Sequence, residues 1–299
     1  MDMMEIVTGE KLEKGGKHWF APGSCPSLSP MAYSREVADS IVALAERGQI
    51  VTLGSATTTG VTGPIQIFAT IVMQNAEQLA GMVLTQLINP GNPVGYGVAA
   101  CPANMRGAKY CCGSPGRVGL QIGSIEMGKQ FYHMPVRTEP YTTESSLPDI
   151  QCGIEAYEGT MCNILSGGDY HLGEIGTLDS LMTTSYEKTI IDEEITSRLL
   201  YIKEGIDVSE EAAAVETICD VGSGGNFLCE EDTIDLMHDA WYPKYTDWNR
   251  DIEAIGDDYT YVLKKANEEW KRRLAEAPET LLDKEVAKAV DEYVEAHRK

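Results

Sequence analysis

The sequence predicts an α/β protein with a parallel sheet and helices packed outside it. Three observations carry this. Short runs rich in β-branched residues and bounded by Gly alternate with longer helical runs. The connections between them are short. The order of turn, long helix, tight loop and buried strand, clearest over GVTGPIQIFATIVMQNAEQLAGMVLTQLINPGNPVGYGVAACPAN, recurs downstream.

The elements follow in order. KHWFAPGS and the helix YSREVADSIVALAERG form a first unit. QIVTLGS at 49–55 is a strand. Thr62-Gly63-Pro64 opens a helix over 65–88, which Pro90-Gly91 closes. PVGYGVAA at 93–100 is the next strand, and 116–132 the next helix. MPVRTE at 134–139 precedes a helix over about 149–166, begun by Pro148-Asp149. DYHLGEIG at 169–176 is a further strand, leading through TLDSLMTTS to the helix YEKTIIDEEITSRLLYIKEG. Beyond residue 206 the chain turns helical and charged. A helix runs from Ser209 to Asp220, GSGGNF is a loop, and 231–240 is a helix. The end, from about Asp257, is charged helix broken at Pro278. A doubly wound sheet and a (β/α)8 barrel both suit this pattern. The count is four good units and one possible, short of a complete barrel.

Composition excludes some functions. The formal charge of −22 repels phosphate backbones and anionic membranes, so neither nucleic acid nor a membrane is an expected partner. The helix 65–88 is interrupted by Gln66, Gln74, Asn75, Glu77, Gln78 and Gln86, and no signal-peptide pattern opens the chain, so a cytoplasmic protein is expected. The eight cysteines form no CxxC pair, and the five histidines form no HExxH or HxH pattern, so a zinc site has no local support. GSGGNF lacks the final Gly of a dinucleotide loop and follows a helix, which favours a helix-ending loop.

Several blocks resemble the trimethylamine methyltransferase family. They are SPMAYSREVADSIVALAERGQ, the TGPI…QNAEQLAG helix, NPGNPVGYG, YCCGSPG, MPVRTE, PDIQCGIEAYEG, GTLDSLMTTSYEK and VGSGGNFLCEEDTIDLMHDAWYP. They stand in the family's order and cover nearly everything from about residue 28 to 245. The resemblance implies a TIM (β/α)8-type barrel, here incomplete at about four to five βα units. The units would span 1–206, with a helical C-terminal cap and tail over 207–299. It also implies a methyltransferase that moves a methyl group from a methylated amine to the Co(I) of a cognate corrinoid protein. The amine would be trimethylamine or a quaternary amine such as glycine betaine. The corrinoid would belong to the partner, with no cofactor or metal bound by this chain, and a homo-oligomer is expected. The absence of pyrrolysine, which methanogen members for trimethylamine carry, favours a quaternary amine. A second reading is an inactive, truncated homologue that serves as an amine-binding or scaffold module.

The chemistry needs aromatics and carboxylates around an ammonium, and a basic group for any substrate carboxylate. Arg137, ending the MPVR strand, either pairs with a substrate carboxylate or forms an ion pair with Glu139 or Glu144. His171 carries over from the family as a pocket residue. Glu174 is the alternative on that strand, because the odd spacing between the two permits only one to face inward. Glu139 and Tyr141 sit in a loop that is either the pocket rim, offering charge and a π face to an ammonium, or simply solvated. TEPYTTESS stands where the family commonly has a glycine-rich piece, which leaves the substrate open. Asp179 and Tyr186 match a family segment and are expected behind the pocket, with helix capping the stronger role. Gln74, Asn75 and Glu77, inside a helix, read as packing or subunit contacts.

Overall fold

A computed structural model describes residues 1–18, 25–107, 109–171, 173–248 and 258–298. Five strands make one parallel sheet: β1 (Cys25–Ser27), β2 (Val51–Ser55), β4 (Val94–Gly97), β7 (Val136–Thr138) and β8 (Tyr170–His171); the short strands β3 (Thr58–Thr59), β5 (Cys101–Asn104) and β6 (Lys109–Tyr110) pair among themselves. Spatial order equals chain order. The helices between them are α2 (Arg35–Glu46), α3 (Ile67–Ile88), α4 (Pro115–Glu126), which continues as a π turn over Met127–Phe131, and α5 (Ile150–Leu165). Helix α6 (Tyr186–Glu204) follows β8. The four expected βα units from QIVTLGS onward are therefore present, and a further strand, Cys25–Ser27, precedes α2. The strand expected over KHWFAPGS lies mostly outside the described residues.

Register defines two faces. Leu53, Tyr96 and Val136 are neighbours across the sheet and are fully buried with Ile41, Leu44, Met82 and Ile125 under the helices. Each such side chain contributes about 1.5–3 kcal/mol by leaving water. The other face carries Thr52, Gly95, Gly97, Arg137 and Tyr170. Thr52 and Tyr170 stand three strands apart, about 14 Å in a flat sheet. Their hydroxyls nevertheless meet at 2.5 Å, passing over Gly95. The sheet is therefore sharply curled, concave on this face, as a barrel wall is. A Cβ on Gly97 would lie 2.4 Å from the Leu53 carbonyl oxygen, so this curl tolerates only glycine there. Among the described residues β1 and β8 remain edge strands, so the sheet does not close on itself.

Helix α3 is long and apolar enough to cross a membrane by composition. Here it buries Thr70, Ile71, Gln74, Glu77, Gln78, Gly81, Met82 and Thr85, a stripe with helical period facing the sheet.

Several elements are shorter than their sequence pattern. The strand expected over 169–176 stops at His171, because Gly173, Glu174 and Gly176 all have left-handed backbone. The helix expected from Ser209 starts later, as α7 (Val215–Val221). Ser209 instead closes a turn by accepting the Ala212 N–H, and Ala214 is left-handed. Of the run 231–240, only α8 (Glu231–Leu236) is helical. After these, α9 (Tyr261–Glu276) packs on α6 through Ile190, Tyr245, Ala266 and Trp270. Helix α10 (Lys284–Ala296) returns to α1 (Asp2–Thr8), where Tyr293 donates to Asp2 at 2.8 Å.

Candidate functional site

Parallel strands bring their C-terminal ends to one rim, where loops and helix N-termini converge. Two charged clusters occupy it. At β7, Arg137 is buried on the concave face and donates from Nη1 to Glu139 Oε1. Glu139 Oε2 accepts from Arg117 Nη2 at 2.9 Å. Arg117 lies in the first turn of α4 and is 1% exposed. Its other terminal nitrogen donates to Thr142 Oγ1 at 2.6 Å. Glu174 Oε2 stands 3.8 Å from Arg117 and has no hydrogen-bond partner among the described residues; nor has Arg117 Nε. Burial and the Glu139 charge push the Glu174 carboxyl well above its usual range, which favours its neutral form beside its charged neighbours.

At β1 and β2 a single carboxylate meets only neutral donors. Glu77 of α3 accepts from Ser27, from Ser55 at 2.7 Å, from Ser29 at 2.9 Å and from the Met31 N–H at 2.8 Å. Burial works against its charge, but these donors outweigh it and hold the carboxyl below its usual range. Packing was the expected role of Glu77, and this is packing of a polar kind. It ties the loop after β1 to the helix layer.

The remaining expected residues separate. His171 is the register partner of Thr138 and shares the helix-facing side with Val136. Its Nδ1 meets Thr138 Oγ1 at 2.5 Å. The concave position on β8 belongs instead to Tyr170, the partner of Arg137, so His171 and Arg137 point to opposite faces. The expectation of an inward His171 is corrected by this register. Burial, then Lys203, pushes the His171 imidazolium down, favouring the neutral ring. Glu174 escapes the parity argument because its left-handed backbone has left the strand. Tyr141, also left-handed, is 2% exposed and bonds Thr196 Oγ1 at 2.8 Å. It meets His171 edge-on at 6.5 Å and lines a cavity beside α6, apart from Arg137. Glu144 does not pair with Arg137; it accepts from Gly113 N–H and Ser180. Asp179 is exposed, while its neighbour Ser180 reaches Glu144 at 2.6 Å. Tyr186 is exposed and stacks on Trp270.

Four residues escaped the sequence reading. Arg117 sits on the buried stripe Arg117, Leu120, Gln121 and Ser124, and a charge on such a stripe was the available signal. Tyr170 was legible only through the register. Lys188 and Asp192 form a buried pair at 2.6 Å, in which Lys188 also donates to the Tyr141 carbonyl and Asp192 accepts the Gly176 N–H. Burial, resisted by Lys188, pushes the Asp192 carboxyl up to about 6. Among the described residues no group of His, Cys, Asp and Glu is arranged to hold a metal ion.

A family model described as trimethylamine methyltransferase (MTTB) matches residues 1–299. A proline betaine:corrinoid methyltransferase from Eubacterium limosum is 36% identical over 254 residues, 83% of this chain and 52% of that protein. A glycine betaine methyltransferase from Desulfitobacterium hafniense (strain Y51) is 32% identical over 90% of this chain and 56% of its own length. The trimethylamine methyltransferase MttB of Methanosarcina thermophila is 32% identical over 84% of this chain and 53% of its own. The chain spans about half the length of the curated relatives it matches.

Proposed function

The chain belongs to the trimethylamine methyltransferase family, and we propose that it serves methyl transfer from a methylated ammonium compound to the Co(I) of a corrinoid protein. The match over the whole chain carries this reading. In the step, the cobalt electron pair attacks an N-methyl carbon. The Co–CH3 bond forms as the N–CH3 bond breaks, and the amine leaves neutral with the bonding pair. Cobalt arrives on the partner as a co-substrate, so this chain supplies no nucleophile. It binds the cation, aims one methyl and excludes water.

The concave face supports a carboxylate-bearing donor such as a betaine. Arg137 and Tyr170 stand side by side in register there, a guanidinium next to a phenol ring. A substrate carboxylate replaces one Glu139 oxygen on Arg137 while Arg117 keeps the other. Tyr170 offers its ring to the ammonium. Three names among the relatives, for proline betaine, glycine betaine and L-carnitine, are of carboxylate-bearing quaternary amines.

The test mixes this chain with a reduced corrinoid protein and glycine betaine, proline betaine or trimethylamine. Loss of the Co(I) absorbance with appearance of methyl-cobalt is expected with a betaine. Two open edge strands favour one other reading, an amine-binding module without turnover. Saturable betaine binding with an unchanged cobalt spectrum would select it.

A further inference from the structure

Beyond the C-terminal end of β4, two short strands bring two cysteines face to face. β5 and β6 pair antiparallel, with Ala103 opposite Tyr110 and Asn104 opposite Lys109. The pairing runs on past β6, because the Cys111 N–H donates to the Pro102 carbonyl at 3.0 Å. The next pair in this register is Cys101 with Cys112. The Cys101 N–H points the other way, to the Thr57 carbonyl at 2.9 Å, so Cys101 and Cys112 form a non-hydrogen-bonded pair. Such a pair holds its α-carbons about 4.5 Å apart. A disulfide needs about 4.4–6.8 Å. Opposed side chains share one face, and here the two thiols hydrogen-bond each other. Cys111 falls on the other face by alternation.

The two thiols differ. Cys101 is fully buried, and burial together with Cys112 pushes its thiol well above the usual range. Cys112 is 3% exposed. The hydrogen bond from Cys101, with the Arg117 charge behind it, nevertheless outweighs burial and holds the Cys112 thiol below its usual range. Burial pushes the thiols of Cys25 and Cys152 up to about 11. A thiol inclined to ionise beside one that keeps its proton is the asymmetry of a reactive dithiol. The Cys112 carbonyl accepts from Thr142 Oγ1 at 3.0 Å and from Arg117 Nη1 at 3.5 Å, which ties the pair to the cluster that ends on Arg137.

We propose that Cys101 and Cys112 are a redox-active dithiol, closed to a cross-strand disulfide by a peroxide, and that closure weakens anion binding at Arg137. In the first step the Cys112 sulfur attacks a peroxide oxygen. The O–O bond breaks, Cys112 becomes a sulfenic acid, and the departing hydroxide takes up the proton that Cys112 gave up. In the second step the Cys101 sulfur attacks the Cys112 sulfur. The S–S bond forms, the S–O bond breaks, and water leaves with the Cys101 proton. Two thiols are oxidised by two electrons, and one hydrogen peroxide is reduced to two waters. Hydrogen peroxide is close to water in size, which suits a thiol with so little exposure. Closure draws Cys112 toward Cys101, and with it the carbonyl that Thr142 and Arg117 hold. This binding consequence rests on the role proposed above for Arg137.

The test uses the full chain carrying Cys219→Ser and Cys229→Ser, two exposed positions, so that molecules do not cross-link. After hydrogen peroxide, alkylation and trypsin, mass spectrometry should find the Cys101 peptide joined to the peptide over 110–117, because Arg106 and Lys109 separate them. Fragmentation should assign the second sulfur to Cys112. Dithiothreitol should release the link, and Cys111→Ser should leave it in place. Glycine betaine should bind the linked protein at least about fivefold more weakly, with recovery on reduction. Absence of the link, or a link through Cys111, would overturn the dithiol. Equal betaine affinity in the linked and reduced forms would overturn its coupling to the site. Failure of the reduced protein to bind betaine would overturn the role of Arg137 and the coupling with it, while the peptide link still decides the dithiol.

Discussion

The two charged clusters at the strand ends solve one problem in opposite ways. Glu77 is a single carboxylate satisfied by three hydroxyls and a backbone N–H. Glu139 is shared between two arginines, with Glu174 alongside, its carboxyl pushed toward the neutral form and its Oε2 without a hydrogen-bond partner among the described residues. A carboxylate held by neutral donors has nothing to exchange and acts as a clamp. A carboxylate between two guanidinium groups can give up one to an incoming anion at small net cost, because like replaces like. The first cluster therefore reads as architecture, and the second suits the binding role proposed for it.

The contrast can be broken most severely at Arg117. Arg117→Met leaves Glu139 and Glu174 buried without the cation they share, and should cost about 3–5 kcal/mol in urea unfolding. A loss no larger than that of a surface substitution would mean the pair is hydrated. Glu77→Gln comes next. Replacing the charged acceptor of four donors should cost about 2 kcal/mol near neutral pH.

The two glutamates should also respond to pH with opposite signs. The folded pKa of Glu77 is depressed, so its contribution is present above the ordinary glutamate value and is lost as pH falls through the folded one. The penalty of Glu77→Gln should shrink in acid. The folded pKa of Glu174 is raised, so the unfolded chain releases that proton first as pH rises. Stability then falls from the ordinary glutamate value up to the raised one. Glu174→Gln should remove this loss, raising the unfolding midpoint at pH above the ordinary glutamate range and leaving it unchanged in acid. Unfolding midpoints measured across pH for both variants decide it, and parallel pH curves would contradict the contrast. The smallest effect concerns the curl. Tyr170→Phe should cost about 1 kcal/mol, and adding Thr52→Val should cost no more, because both remove the same hydrogen bond.

The parallel sheet was legible in the sequence because each unit carries its own punctuation. Pro90-Gly91 ends α3, Asp149 caps α5 by accepting the Cys152 N–H, and Ser185 caps α6 in the same way. Arg137 was legible as a strand-end cation. Its partner was not, since Glu139 and Glu144 are both within reach along the chain and only the fold selects Glu139. The orientation of His171 was hidden because β8 is two residues long, too short for alternation to show. Arg117 was hidden because a charge inside a helix reads as solvated until the stripe it lies on is known to be buried.

The claim that most depends on this contrast is that Arg137 exchanges Glu139 for a substrate carboxylate. Calorimetric titration of glycine betaine and its methyl ester, which keeps the ammonium and masks the acid, tests it directly. Wild-type protein should bind the acid at least about tenfold more tightly than the ester, and Arg137→Ala should abolish the difference. Equal affinities in the wild type, or a preference that survives in a folded Arg137→Ala variant, would contradict it.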